Sequence, residues 1–290
     1  YSMSQPQFRL VAAAYNRLLH AEPARYTWTG ESTLRDVAVP LAGGVVETVA
    51  LPARSPLNPA AGWAAAEARY AAVEATDGYG VMVIDDLLTA EALDDLLTFA
   101  QRSTLFFEAK RGYYCGAYLN EGMTSTALLS LADSLRSALP NVIGDLMLKD
   151  AWMYKYGDNS PEGVGIHADA AAVNVNIWLV PDDANLDPEH GGLVVYTAPP
   201  FEQYDHRAFI AGGWNQTDME EYMKERGGRS IRVPYRQNRA VIFHSDLFHR
   251  TDDQHFKAGY DNRRINLTFL YGHARRKGEE TSPWDGRSSQ

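Results

Sequence analysis

Two short stretches of the sequence hold side chains that could bind a metal. In "GVGIHADAAAVNVNIWLV" (163–180), His167 and Asp169 stand two positions apart, so in an extended chain they project to the same side. In "NRAVIFHSDLFHR" (238–250), a strand-like run passes through a turn to His249. Two imidazoles and one carboxylate on one face of a cation leave the opposite positions open. That is the arrangement of non-haem Fe(II) sites that take O₂ and a co-substrate. An all-His or Cys-rich set would favour zinc more strongly. His-x-Asp alone is a common chance pairing, and His244 and His255 lie close to His249, so these residues leave the third ligand open.

Three further stretches fall where such a site would use them. "YKYGDNSPEG" (154–163) places Tyr154 and Tyr156 just ahead of the His-x-Asp pair. "HGGLVVYTAP" (190–199) leads a double glycine into a strand. In "NRRINLTFLYG" (262–272), Arg264, Asn266 and Thr268 alternate with Ile265, Leu267 and Phe269, so one face of a strand is polar and led by an arginine. Buried polar groups need partners, and a dicarboxylate would supply them, since a guanidinium offers a planar fork of donors. Arg263 is a rival anchor, but the alternation puts it on the apolar side. Asn174, Asn176 and Trp178 share one face of the strand after the metal pair and are further candidates to line the pocket.

Elements of a β-rich core must position these groups. Strand-like runs recur at 150–157, 173–180, 191–199, 230–236, 238–245 and 264–272, separated by Gly, Pro, Asn and Asp. "YGVMVIDDLL" (79–88) reads as a strand and turn, and a helix follows with Thr89 as N-cap. A second helix is expected over 124–139, stopped by Pro140. Ahead of these, residues 1–78 read as an N-terminal helical and irregular extension, with helical spacing at 6–21, short strands broken by Pro and Gly at 33–59 and an Ala-rich helix at 59–76. The core domain is expected over 79–275, with an insertion at 201–229 holding some helix, and a polar tail over 276–290. The fold class is therefore mainly β with flanking helices: a jelly-roll or cupin-like core carrying a helical layer.

Composition bounds the function. The 290 residues suffice for one large domain. With 27 basic and 37 acidic side chains the chain carries a net charge of −10, which argues against a general nucleic-acid binder. No apolar run approaches the roughly 20 residues of a membrane span. One cysteine, Cys115, forbids an internal disulfide and fits a reducing cytoplasm. Blander readings apply elsewhere: His244 as a packing residue, His190 as a loop residue, Cys115 as a small packing group, and the tryptophans as packing, with Trp214 in the insertion able to contact substrate.

The set of stretches, in this order, resembles the 2-oxoglutarate and Fe(II)-dependent dioxygenases of the prolyl-hydroxylase and phytanoyl-hydroxylase-like group. The resemblance rests on Tyr-x-Tyr-Gly ahead of His167-Ala-Asp169, on Gly191-Gly192-Leu193, on "SDLFHR" around His249 and on "RINLTFLY" from Arg264, and it covers roughly residues 79 to 272. It implies a double-stranded β-helix with the metal at its open mouth. It implies that His167, Asp169 and His249 are the iron ligands, and that Arg264 pairs with the distal carboxylate of 2-oxoglutarate. Thr268 matches a position of that pocket, and Tyr156 or Tyr154 would bond the co-substrate, with Asn176 and Trp178 beside them. The implied reaction consumes O₂, releases succinate and CO₂, and hydroxylates a substrate. Halogenating relatives lack the carboxylate, so Asp169 points to hydroxylation, demethylation or desaturation. His167 and His249 stand 82 positions apart (249 − 167), longer than in many relatives, and the insertion at 201–229 accounts for it. Two rival readings are a cupin-like isomerase or hydrolase that uses another divalent metal without 2-oxoglutarate, and a non-catalytic β-barrel interaction module. The substrate, a small molecule or a peptidyl residue, is not specified by these motifs, and a homodimer is open.

Overall fold

The computed structural model describes residues 55–110, 112–157, 163–198 and 216–273. The expectations for 6–21 and most of 33–59, for Trp214 and for the polar tail lie outside the described residues.

The first described helix, α1 (Trp63–Asp77), is the Ala-rich segment, and it buries Ala66 and Tyr70 against the strand that follows. The chain passes from it into β1 (Val81–Ile84) through Gly80. A Cβ there would meet the Tyr70 ring at 2.1 Å, so glycine is what lets the ring lie on the backbone. Helix α2 (Ala90–Arg102) starts where the sequence predicts, with the Thr89 hydroxyl accepting from the Ala92 amide. Strands β2 (Glu108–Lys110) and β3 (Tyr114–Tyr118) form a hairpin that the sequence does not announce. Helix α3 (Thr126–Ala138) is capped by Ser125. Then come β4 (Leu148–Tyr156), β5 (Val173–Trp178), β6 (Leu193–Tyr196), helix α4 (Gln216–Glu225), β7 (Ser230–Val233), β8 (Ala240–His244), the short β9 (His249–Thr251) and β10 (Ile265–Tyr271).

These strands make two antiparallel sheets. The larger has the order β1-β8-β5-β10-β4-β3-β2, the smaller β7-β6-β9. A bridge between His167 and His249 adds a further short edge to the smaller sheet. The facing sheets enclose Trp178, Leu193, Val195, Val233, Val241 and Phe243. On the outer face of the larger sheet, Val175, Ile177, Leu267 and Phe269 pack with Leu96, Leu128, Leu131 and Leu135 of α2 and α3. Each of these full burials is worth about 1.5–3 kcal/mol. Ile166, Ala168 and Phe248, on the outer side of the smaller sheet, pack with Met219 and Met223 of α4. This is the expected jelly-roll core with helices on its outside. No helix among the described residues is long and apolar enough to cross a membrane.

Candidate metal centre

His167 and His249 are cross-strand neighbours. The His167 amide donates to the His249 carbonyl at 3.0 Å and the His249 amide returns the bond to His167 at 2.8 Å. Both rings therefore leave the sheet on the same side, toward the barrel interior, with their centroids 4.3 Å apart. Asp169 is tied to the turn after β8: its amide donates to Ser245 O at 3.0 Å, and the Ser245 hydroxyl donates to Asp169 O at 3.1 Å. The carboxylate then closes the group, with Oδ1 3.8 Å from His167 Nε2 and Oδ2 3.4 Å from His249 Nε2. One ligand atom of each of the three residues lies within 4.8 Å of the other two.

The hydrogen bonds on the far side of each ring fix what this group can bind. Nδ1 of His167 lies 2.8 Å from Gly165 O, and Nδ1 of His249 lies 3.0 Å from Leu247 O. A carbonyl only accepts, so each Nδ1 carries a proton, and Nε2 is the ring atom each imidazole turns toward the carboxylate. Two imidazole nitrogens and a carboxylate converging on one point are the donor set that a divalent cation takes. Backbone carbonyls orienting metal-binding imidazoles are the usual outer partners of such sites. The donor set therefore fits a divalent ion with three facial ligands from the protein.

The cavity beside this group runs to Arg264, which is 1% exposed. Its Nε donates to Gly191 O at 2.7 Å and its Nη2 to Gly192 O at 3.0 Å, while Nη1 is buried with no hydrogen-bond partner among the described residues. The double glycine is a steric requirement here, because a Cβ on Gly192 would fall 2.0 Å from Val233 O. The guanidinium also lies 4.6 Å from the Tyr156 ring centre. Tyr154, Tyr156, Asn176 and Thr268 border the same cavity. Tyr156 shares a hydrogen bond of 3.1 Å with Thr251. Burial, with the Tyr118 hydroxyl beside it, holds the Tyr154 phenol well above its ordinary value, so it stays protonated. Trp178 shares the inward face but sits deeper, its ring 5.9 Å from the Arg264 guanidinium and packed on Tyr235, and it does not border the cavity. Arg263 turns the other way: it stacks over Tyr260 and borders a separate outer pocket with Lys155 and Cys115.

Several contributors escaped the sequence reading. Thr251, two positions after His249 and thus on the same face, borders the cavity, as do Trp152, Val164 and Leu193. The two-residue period was the signal for Thr251 and, from Tyr154, for Trp152. His244 points away from the metal group, with Nε2 3.0 Å from Glu74 of α1. His190 gathers with Asp252 and Asp253 into a second cluster of metal-binding residue types. There Asp252 already faces Arg232 at 3.3 Å and Arg250 at 3.8 Å, so the cluster is explained as an ion-pair network.

No family model matches the chain, and no curated protein matches it. Solved structures do. The non-haem α-ketoglutarate-dependent epimerase SnoN from nogalamycin biosynthesis is 17% identical, with a TM-score of 0.50 over 76% of this chain and 93% of that one. SnoN in complex with Fe³⁺, α-ketoglutarate and nogalamycin RO is 15% identical, with a TM-score of 0.51 over 78% of this chain and 93% of the other. A prolyl hydroxylase from Trichoplax adhaerens, in complex with a hypoxia inducible factor peptide, matches at 14% identity and a TM-score of 0.46, over 71% and 89%. At these identities the SnoN likeness is one of fold alone.

Proposed function

We propose that this protein is an Fe(II)- and 2-oxoglutarate-dependent dioxygenase that hydroxylates its substrate, consuming O₂ and releasing succinate and CO₂. One observation carries the reading: three ligand atoms converge in the same cavity as a buried guanidinium whose Nη1 has no partner among the described residues. An isolated buried donor on a cation costs several kcal/mol. A carboxylate placed there would repay it, and a dicarboxylate would span from that point toward the metal group.

When bound, the metal and co-substrate would supply the oxidising chemistry; the protein supplies binding, orientation and shielding. His167, Asp169 and His249 would hold the ion from one side and leave the other side to ligands. Arg264, held rigid by two glycine carbonyls and the Tyr156 ring, would take the far carboxylate of 2-oxoglutarate through Nη1. Thr268 is placed on the same inward face, and the protonated Tyr154 hydroxyl can donate to an oxygen of the co-substrate. Leu193 and Val164 would exclude water from that end. A metal-dependent isomerase or hydrolase without 2-oxoglutarate would give the unmet donor of Arg264 no purpose, which favours the first reading.

The test is an anaerobic titration with Fe(II) and 2-oxoglutarate. The expected result is a weak visible metal-to-ligand charge-transfer band, with Arg264→Ala weakening the 2-oxoglutarate dependence far more than Arg263→Ala. No band, together with no succinate on admitting air in the presence of candidate substrates, would remove the proposal.

A further inference from the structure

Four polar side chains on the inward faces of β5 and β10 are buried beside the metal group, and the mechanism above leaves most of their hydrogen bonds without a role. Asn174 donates its amide to Asp169 Oδ2 at 2.8 Å. Asn176 donates to Asn174 Oδ1 at 2.6 Å. Asn266 donates to Asn176 Oδ1 at 2.9 Å, and the Thr268 hydroxyl donates to the same oxygen at 3.0 Å. All four residues are at most 6% exposed. Thr268 stands directly opposite Asn176 across the two strands.

This run has one possible polarity. A carboxylate can only accept, so the Asn174 NH₂ must face Asp169. Its carbonyl then faces Asn176 and requires an NH₂ there, and the same demand passes on to Asn266. Reversing one amide alone would set two NH₂ groups or two oxygens against each other in a dry interior, a costly arrangement. The last acceptor, Asn266 Oδ1, is buried without a partner among the described residues, in the cavity that holds Arg264. The orientation of three amides is thus set from the Asp169 end and read out at the Arg264 end.

We propose that Asn174, Asn176 and Asn266 are positioning residues, a one-way amide relay that holds the Asp169 carboxylate in its metal-facing rotamer. The inference rests on the metal-site reading above. Asn174 acts directly, by occupying Oδ2 and fixing the carboxylate plane. Asn176 acts only through Asn174, by pinning the amide that does so, and Asn266 one step further back. Side chains that orient metal ligands in this way are worth about 10–100-fold in metal affinity.

The experiment is an anaerobic Co(II) titration, read by the ligand-field bands, on wild type, Asn174→Leu, Asn176→Leu and the double variant, with folding checked by circular dichroism and thermal melting. Leucine keeps the branched shape at a greater volume and removes the amide. Asn174→Leu is expected to weaken Co(II) binding about tenfold or more, and Asn176→Leu less. In the Asn174→Leu background, Asn176→Leu should have little further effect, because its route to Asp169 is already cut. Asn174→Ser, which is too short to reach the carboxylate, is expected to give the same loss and serves if leucine disturbs packing. A folded Asn174→Leu and Asn174→Ser that bind Co(II) like wild type would overturn the proposal, as would simple additivity of the two leucine substitutions. Adding 2-oxoglutarate to the wild-type titration separates the two readings. Co(II) binding with no response to 2-oxoglutarate sinks the proposed function and leaves the relay. A normal response with Asn174→Leu matching wild type sinks the relay alone. A wild type that binds no Co(II) overturns both.

Discussion

The two faces of the larger sheet are made by the same strands and serve opposite ends. On β10, Ile265, Leu267, Phe269 and Tyr271 turn outward into the helices, while Asn266 and Thr268, with Arg264 just ahead of the strand, turn inward to the cavity. The outward face of β10 is apolar side chains in contact, plus the Tyr271 hydroxyl donating to Ala132 O of α3. The inward face is buried almost as deeply but consists of donors and acceptors that must match one by one. Burial there yields little stability; it fixes orientation. One strand can therefore anchor the fold and present a rigid polar site, because a period of two residues keeps the two tasks apart.

Substitutions on each face can break or sharpen this division. The largest effect is expected from Phe269→Ala on the outward face, about 3–5 kcal/mol of stability by chemical denaturation, with Co(II) affinity of the folded protein unchanged. A changed affinity would mean that the faces are mechanically coupled. Next is Arg264→Ala on the inward face, expected to weaken 2-oxoglutarate binding about 10–100-fold, the worth of charged hydrogen bonds, while Co(II) alone binds as before. Calorimetry with each ligand checks it, and loss of Co(II) binding would show that Arg264 supports the metal group as well. The smallest effect concerns Lys155, a buried lysine on the outward face that donates to Ala100 O near the end of α2. Burial, then the neighbouring Arg263 charge, lowers its pKa to about 8 from 10.5. Between those values the folded chain binds fewer protons than the unfolded chain, so this residue makes stability rise with pH from about 8 to 10.5. Melting temperatures at several pH values across that window should show the rise in wild type and a flatter profile in Lys155→Met.

The sequence made the inward-outward alternation legible, because "RINLTFLYG" states it residue by residue. The helix starts were legible for a similar reason, since Thr89 announces its helix by type and position. The β2–β3 hairpin was not: its strands have three and five residues, and their mixed burial gives no clean period. Strand β9 is three residues long and holds together only through partners far away in the chain, so no local signal marks it. At the site, the polar face of β5 was visible as Asn174 and Asn176, but their link to Asp169 depends on side-chain direction across a turn, which spacing does not encode. Trp178 shows the limit of the alternation rule: it gives the face of a residue and not its depth in the barrel.

The reciprocal backbone bonds between residues 167 and 249 free the intervening chain from any duty to set ligand spacing. Segments of quite different length could be spliced between β6 and α4 with the two imidazoles still meeting at the same point, provided that Met219 and Met223 keep their packing on Ile166 and Phe248. A protein engineer could therefore treat that stretch as an exchangeable module while the group of His167, Asp169 and His249 stays as it is.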